Sequence, residues 1–335
     1  MKVFVAGSCP IAVNRFAPIM TEDFRALAAC DSIRLHSVVG SPGEADIILF
    51  VDNHMNPDWR VCFPLEHPLF KEYPSKCMVY DERDRPWLCP LPGVYVSMPA
   101  RYFDAGSQRA WAYYTLSGKT TVPPGMKPDL LYSFMGTPGP RSSGGHGPRR
   151  AILSLRDDRT ILEDTSGFVF YDDHGDPVAH AARQRRFAET IGRSKFVLCP
   201  RGAGTSSFRM YEVMRAGRVP VIIADQWAAP AGPDWQRFSL RVGHHAVDQI
   251  PKLLRKREED WPAMAAEAAA AYRKWFAPDV NFHNIIEGCC SIMDAGHHTD
   301  SKLRARRDRR LRRRHVVVAV RSHVGRALRS LGFRK

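Results

Sequence analysis

The sequence contains no apolar run near the 18 or so residues that a bilayer-crossing helix needs; its longest candidates, 45–51 and 219–224, are of strand length. No transmembrane helix is expected. The eight cysteines are scattered and include no Cys-x-x-Cys pair, so neither a disulfide framework nor a zinc site is indicated. There is no Asn-x-Ser/Thr acceptor, in keeping with a reducing compartment. Gly-x-Gly-x-x-Gly and Gly-x-x-x-x-Gly-Lys-Ser/Thr are both missing, which argues against a Rossmann dehydrogenase and a P-loop ATPase. No strict Asp-x-Asp and no internal repeat occur. At the N-terminus, MKVFVAGSC lacks the 7- to 15-residue apolar stretch of a secretory signal and reads as a first β-strand running into a loop.

What is present in excess is positive charge, a formal +14 over 335 residues. It is unevenly placed. Residues 301–335 hold 14 Lys and Arg against one Asp, leaving 35 basic and 34 acidic residues in the first 300. A nearly neutral body excludes a protein whose whole surface is built for nucleic acid and confines electrostatic partners to the last segment. There RARRDRRLRRR is followed by Val317, Val320, Val324, Leu328 and Leu331 at helical spacing. A basic amphipathic helix of this kind fits an anionic membrane surface; non-specific nucleic-acid binding and a disordered tail are the competing readings.

The length suggests two domains. In the first part, strand-like runs at 2–6, 45–51 and 76–80 alternate with a helical stretch at 21–30 capped by Thr21. This pattern implies an α/β layer with polar residues after the strands. TTVPPGMKP interrupts it, giving the expected division: an acceptor-side domain at 1–120, a linker at 121–128, a second domain at 129–300 and the basic tail at 301–335. The second domain reopens with a strand at 130–135, a Gly/Pro/Ser-rich loop at 136–148, helices at 149–156 and 178–191, and a strand at 167–171. Trp261, Met264, Ala265, Ala268, Tyr272, Trp275 and Phe276 recur at helical spacing and read as a core face.

Residues 194–225 carry the chemistry. KFVLC is an apolar strand, PRGAGT a glycine-bearing turn, SSFRMYEVMRA a helix stopped by Gly217, and VPVIIA a second buried strand. This is a βαβ unit in which Thr205, Ser206 or Ser207 supplies the helix cap. Gly202 and Gly204 allow close backbone approach. A helix N-terminus at the carboxyl edge of a parallel sheet offers free N–H groups and a positive dipole to phosphate. Arg201 and Arg209 add bidentate donors suited to a diphosphate; a plain βαβ unit with solvated arginines is the alternative. Glu212, three residues after Arg209, shares its helix face.

The run SKFVLCPRGAGTSSFRMYEVMRAGRVPVIIAD resembles the signature of exostosin-type glycosyltransferases, in which CPRG leads to SFR-x-x-E and then AG-x-x-PV-x-x-x-D. LLYSFMGTPGPR carries a weaker similarity, and the first 120 residues carry none. The resemblance implies an α/β GT-B architecture, with two Rossmann-like domains whose parallel sheets face a central cleft. It implies a nucleotide-sugar donor, a UDP-sugar by preference, and transfer with inversion to a saccharide or glycolipid acceptor. The donor site would comprise Arg201, Gly202, Thr205, Ser206, Ser207, Arg209, Glu212 and Asp225. Arg201 and Arg209 would neutralise the diphosphate, Ser206 and Ser207 would offer hydroxyls and N–H groups, and Glu212 would accept from ribose hydroxyls. Asp225 would contact the donor or cap the next turn.

Without an Asp-x-Asp pair, arginines and a helix dipole would stand in for a metal, so no metal and no cofactor are expected; Asp172–Asp176 has no Ca²⁺-loop spacing. Inversion needs a base for the acceptor proton. Asp81 and Asp84, just after KCMVY, are the candidates, with Asp52 and His54 behind them and a salt-bridged surface turn as the alternative for DERDR. A cytoplasmic enzyme resting on the inner membrane face is the expectation. A non-catalytic saccharide or nucleotide binder, or a tail-driven nucleic-acid binder, is the competing class.

Overall fold

The computed structural model describes residues 1–7, 17–52, 67–84, 91–114, 121–123, 125–138, 147–167 and 177–296. His54, Asp172–Asp176 and the basic segment 301–335 lie outside them.

Two parallel sheets form the frame. In the first, β1 (Lys2–Gly7), β2 (Ser37–Val38), β3 (Ile47–Asp52), β4 (Cys77–Asp81), β5 (Gly93–Tyr95) and β6 (Gln108–Ala110) stand in the order β2-β1-β3-β4-β5-β6. In the second, β7 (Leu130–Met135), β8 (Thr160–Glu163), β9 (Ser194–Pro200), β10 (Val219–Ile223) and β11 (Leu240–Arg241) stand in the order β11-β10-β9-β7-β8. Every adjacent pair is parallel. Parallel strands need covered faces, so their sequences read as continuous apolar runs. In β3 the period of two sends Ile47, Leu49 and Val51 into one core and Ile48 and Phe50 into another. β9 divides in the same way, Val197 and Cys199 to one side and Phe196 and Leu198 to the other.

The largest core does not respect the division into halves. It joins Phe24 and Tyr80 of the first half to Tyr211, Trp235, Phe276 and Phe282 of the second. The helix Pro278–Asp294 packs on the helix Ala17–Ala29 and on β5 and β6, so the end of the described chain returns to the first sheet. Trp111 Nε1 donates to Asn281 Oδ1 at 2.7 Å, with Asn281 fully buried. At the other side of the junction, Pro99 pairs with Trp227 in an isolated antiparallel bridge and Ala100 N donates to Gln226 O at 2.8 Å. Two parallel α/β layers with strand carboxyl ends turned to a shared cleft are the architecture that the GT-B expectation describes.

Several local expectations change. The first helix begins at Ala17, not at Thr21, because Met20, Phe24 and Leu27, at helical spacing, all face the core and carry the pattern past the proposed cap. β8 at Thr160–Glu163 was not foreseen; all four of its residues are only half-buried, which weakens the apolar signal. The strand expected at 167–171 falls mainly outside the described residues, with Gly167 itself in a turn. The stripe on the Trp261–Trp275 helix is a core face, as expected: Met264, Ala265, Ala268 and Tyr272 are buried.

Candidate functional site

The carboxyl ends of β7 and β9 open on a cleft of about 520 Å³, reached from the first half by Asp84 and Tyr113. This is the size range of small-molecule sites. Its floor is Arg209. The guanidinium stacks on Phe134 with its carbon 4.7 Å from the ring centroid and approaches Phe187 at 5.5 Å, and Nη2 donates to Met135 O. Nε and Nη1 are buried and have no hydrogen-bond partner. Burial disfavours the charged form and lowers the pKa of Arg209, while the neighbouring Glu212 opposes that shift. Two unused donors on a half-buried cation that lines a cleft call for an anionic ligand.

A second arginine stands beside it. Arg149 lies in the first turn of the helix Gly147–Leu153, lines the cleft and is held by Nε to Arg201 O at 3.0 Å. Burial pulls its pKa down to about 10, and the charges of Arg209 and Arg201 push the same way. From its sequence Arg149 is expected only to start a helix, with no role in the site. Arg201, by contrast, does not line the cleft; its guanidinium folds back on its own loop, with Nη2 donating to Ala203 O at 3.3 Å.

The turn divides its residues between the cleft and the first half. Gly202, Ser206 and Ser207 line the cleft with Glu212. Ser207 stands at the N-cap of the helix Phe208–Arg215 in extended conformation but makes no side-chain capping bond. Thr205 faces elsewhere: its hydroxyl donates to Ser97 O at 3.0 Å, and Thr205 is only 4% exposed. The backbone N–H of Ser206 points at Ser97 Oγ, 3.4 Å away, so this donor contacts the first half instead of a ligand. Gly204 fits tightly, because a Cβ there would stand 2.5 Å from Asp84 Oδ1 and 2.6 Å from Ser97 Oγ. Asp225 lies outside the cleft lining; its Oδ1 accepts from His244 N at 3.1 Å and caps the loop beyond β10.

The two catalytic candidates part company. Asp81 is fully buried, and Arg83 grips its carboxylate with Nη2 at 2.6 Å, Nε at 3.1 Å and the backbone N–H at 2.8 Å. It ends β4 in register with Asp52 and Tyr95, and it does not line the cleft. Glu82 is also fully buried, accepting from Tyr114 N at 2.6 Å and lying 3.0 Å from the Tyr80 hydroxyl. Thus residues 81–84 are not a solvated surface turn. Three locked residues carry Asp84 to the cleft wall. Beside it, Tyr113 shares a hydrogen bond with Ser97 Oγ at 2.9 Å. Burial, then the charge of Asp84, pushes the Tyr113 phenol well above its usual range and keeps it protonated.

The far wall comes from Glu163 and the helix Pro177–Arg193, where Arg186 pairs with Glu163 at 2.6 Å. Among the described residues, the grouping of three metal-type ligands lies away from this cleft.

Residues 125–257 match the Exostosin GT47 domain. The exostosin-like segment therefore includes β7 to β11 and every second-half residue of the cleft described above. The chain is 35% identical over 92 residues to an Exostosin-1 homolog of Caenorhabditis elegans, covering 26% of this chain and 24% of that protein. It is 33% identical over 67 residues to Exostosin-1 of Drosophila melanogaster, covering 19% and 9%. The match thus spans a quarter or less of these relatives' own length. Among solved structures it is similar to WaaG, a glycosyltransferase involved in lipopolysaccharide biosynthesis, with a TM-score of 0.37 and 11% identity over 86% of this chain and 100% of that one.

Proposed function

We propose that this chain is a glycosyltransferase that takes a sugar from a nucleotide-sugar donor, a UDP-sugar by preference, and transfers it with inversion to a saccharide or glycolipid acceptor. The observation that carries the reading is the pair of unpartnered, buried N–H donors of Arg209 on the floor of the cleft. In the proposed complex the donor diphosphate takes these two donors and lies against Arg149. Backbone at Gly202 allows its close approach, and the uncommitted side chain of Ser207 adds a hydrogen bond. The positive end of the Phe208–Arg215 helix favours the same charge. Glu212, one turn beyond Arg209, accepts from ribose hydroxyls.

Asp84 takes the base role in place of Asp81, whose lone pairs are spent on Arg83. It removes the acceptor hydroxyl proton as that oxygen attacks the anomeric carbon, and the nucleoside diphosphate departs from the opposite face. The arginines stabilise the charge that grows on the leaving group. We infer no metal requirement for this step. The basic segment 301–335 would bring the enzyme to an anionic membrane face, where a lipid-linked acceptor resides.

Thermal denaturation of wild type and Arg209→Ala against UDP, GDP and inorganic polyphosphate tests the reading. Selective stabilisation of the wild type by one nucleoside diphosphate, lost in the variant, is expected. A response to polyphosphate alone, or one unchanged in Arg209→Ala, overturns it.

A further inference from the structure

A second group of functional side chains sits at the other end of the first sheet, where the strands begin. His36 directly precedes the edge strand β2, whose Ser37 N donates to Met1 O at 3.0 Å. The helix Pro278–Asp294 crosses beside it and presents His283 and Glu287, four residues apart and therefore on one face. Ligand atoms of His36, His283 and Glu287 all lie within 4.8 Å of one another. The two imidazoles stack, with ring centroids 5.1 Å apart and planes 20° from parallel.

The polar atoms here are poorly satisfied. His36 Nε2 is 3.0 Å from Glu287 Oε1, within ion-pair reach, yet Nε2 has no hydrogen bond of acceptable geometry, and His283 Nδ1 has no partner at all. A buried nitrogen left without a partner is uncommon and costly, and beside a second imidazole nitrogen and a carboxylate an ion is one of the few explanations for it.

We propose that His36, His283 and Glu287 hold one divalent first-row metal ion of the zinc class, with water completing its coordination. Two imidazole nitrogens and one carboxylate oxygen are the donor set such ions take. Around a tetrahedral ion with bonds of about 2.0–2.1 Å, ligand atoms stand about 3.3 Å apart. The His36–Glu287 pair is already at 3.0 Å. Rotation of His283 and of the half-exposed Glu287 side chain closes the rest. Coordination through Nε2 leaves the His36 proton on Nδ1, and the Met1 amine, 3.2 Å away, accepts it in its neutral form.

The ion would act as a staple. It would fasten the segment before β2 to the last described helix, beside the bonds from Ser32 N and Oγ to Asp279 O at 2.8 and 2.9 Å. Because it sits at the amino ends of strands whose carboxyl ends form the cleft, it would serve stability and leave the transfer step alone. Cysteine spacing gave no hint of it: the ligands are two histidines and a glutamate, with His36 far from the other two in sequence.

The test is zinc uptake by the EDTA-stripped full chain at pH 8, measured in competition with a chromophoric chelator and by thermal denaturation. One zinc per chain and a raised Tm are expected. In His283→Gln the affinity falls by at least about 10–100-fold, the loss that even outer-shell changes produce, while its EDTA-treated Tm matches that of EDTA-treated wild type. His245→Ala, a control away from the cluster, binds as wild type does. Cobalt substitution gives visible absorption that His283→Gln lacks. Uptake that is absent, or equal in wild type and His283→Gln, overturns the proposal. So does a Glu287→Gln variant whose Tm falls equally with zinc and with EDTA, since that marks a simple ion pair.

Discussion

Gly204 and Asp84 touch across the junction of the two halves, so closely that a Cβ on Gly204 would stand 2.5 Å from Asp84 Oδ1. The turn that feeds the arginine-bearing helix and the carboxylate proposed as base are therefore set by one contact. Gly204→Ala must displace either Asp84 or Ser97, whose Oγ would be 2.6 Å away. Overpacking of this kind costs about 1–3 kcal/mol. A misplacement of about 1 Å costs on the order of 10²-fold in rate. Sugar transfer should fall by about that factor with only a modest drop in Tm, checked by donor turnover beside thermal denaturation. Unchanged turnover would separate the contact from catalysis.

The two aspartates of DERDR should respond in opposite ways. Asp81→Asn strands Arg83, which is 3% exposed, and breaking a buried pair costs about 3–5 kcal/mol. Asp84→Asn keeps the size and shape of the side chain and should leave UDP binding intact, while transfer falls by about 10²–10⁴-fold, the contribution of a general base. Denaturant unfolding and initial rates on both variants check this. Full activity in Asp84→Asn would move the base elsewhere.

Acid should loosen the second half at one identifiable place. Glu258 accepts from Arg159 at 2.7 Å and Lys195 at 2.6 Å, and these bonds hold its pKa near 2, below the ordinary 4.5. A carboxyl with a depressed folded pKa contributes stability above its unfolded value and loses it as the pH falls toward the folded one. Glu258→Gln should therefore lower Tm at pH 7. The gap to wild type should narrow between about pH 4.5 and 2. A gap independent of pH would show that packing, not charge, sets the difference.

The basic segment 301–335 should govern attachment to anionic vesicles. Sedimentation with phosphatidylserine-containing liposomes is expected to weaken steeply with salt and to vanish when these residues are removed, with donor hydrolysis retained. Salt-insensitive binding that survives the deletion would assign it to another surface.

The sequence made the central strands plain because both their faces are buried: Leu130–Met135 was legible to the residue, and β9 and β10 nearly so. β5 and β6 have only three residues each and leave no periodic trace. In the cleft, the helix pattern brought out Arg209 and Glu212. Arg149 was missed because it follows a stretch of glycine, proline and serine with no period to orient it. Asp81 and Asp84 could not be told apart either, since being near a strand end does not say which way a side chain turns. That depends on Arg83, Tyr80 and Tyr114 closing around the first two carboxylates.

The helix Pro278–Asp294 also carries a consequence for how the chain is made. Ser32 Oγ reaches Asp279 across a sequence separation of 247 residues. On a ribosome adding about 5–20 residues per second, Ser32 waits roughly 12–50 s for its partner on the covering helix. Over that interval the apolar face around Phe24 is open, and this is the stage at which a nascent chain of this design depends most on chaperone cover.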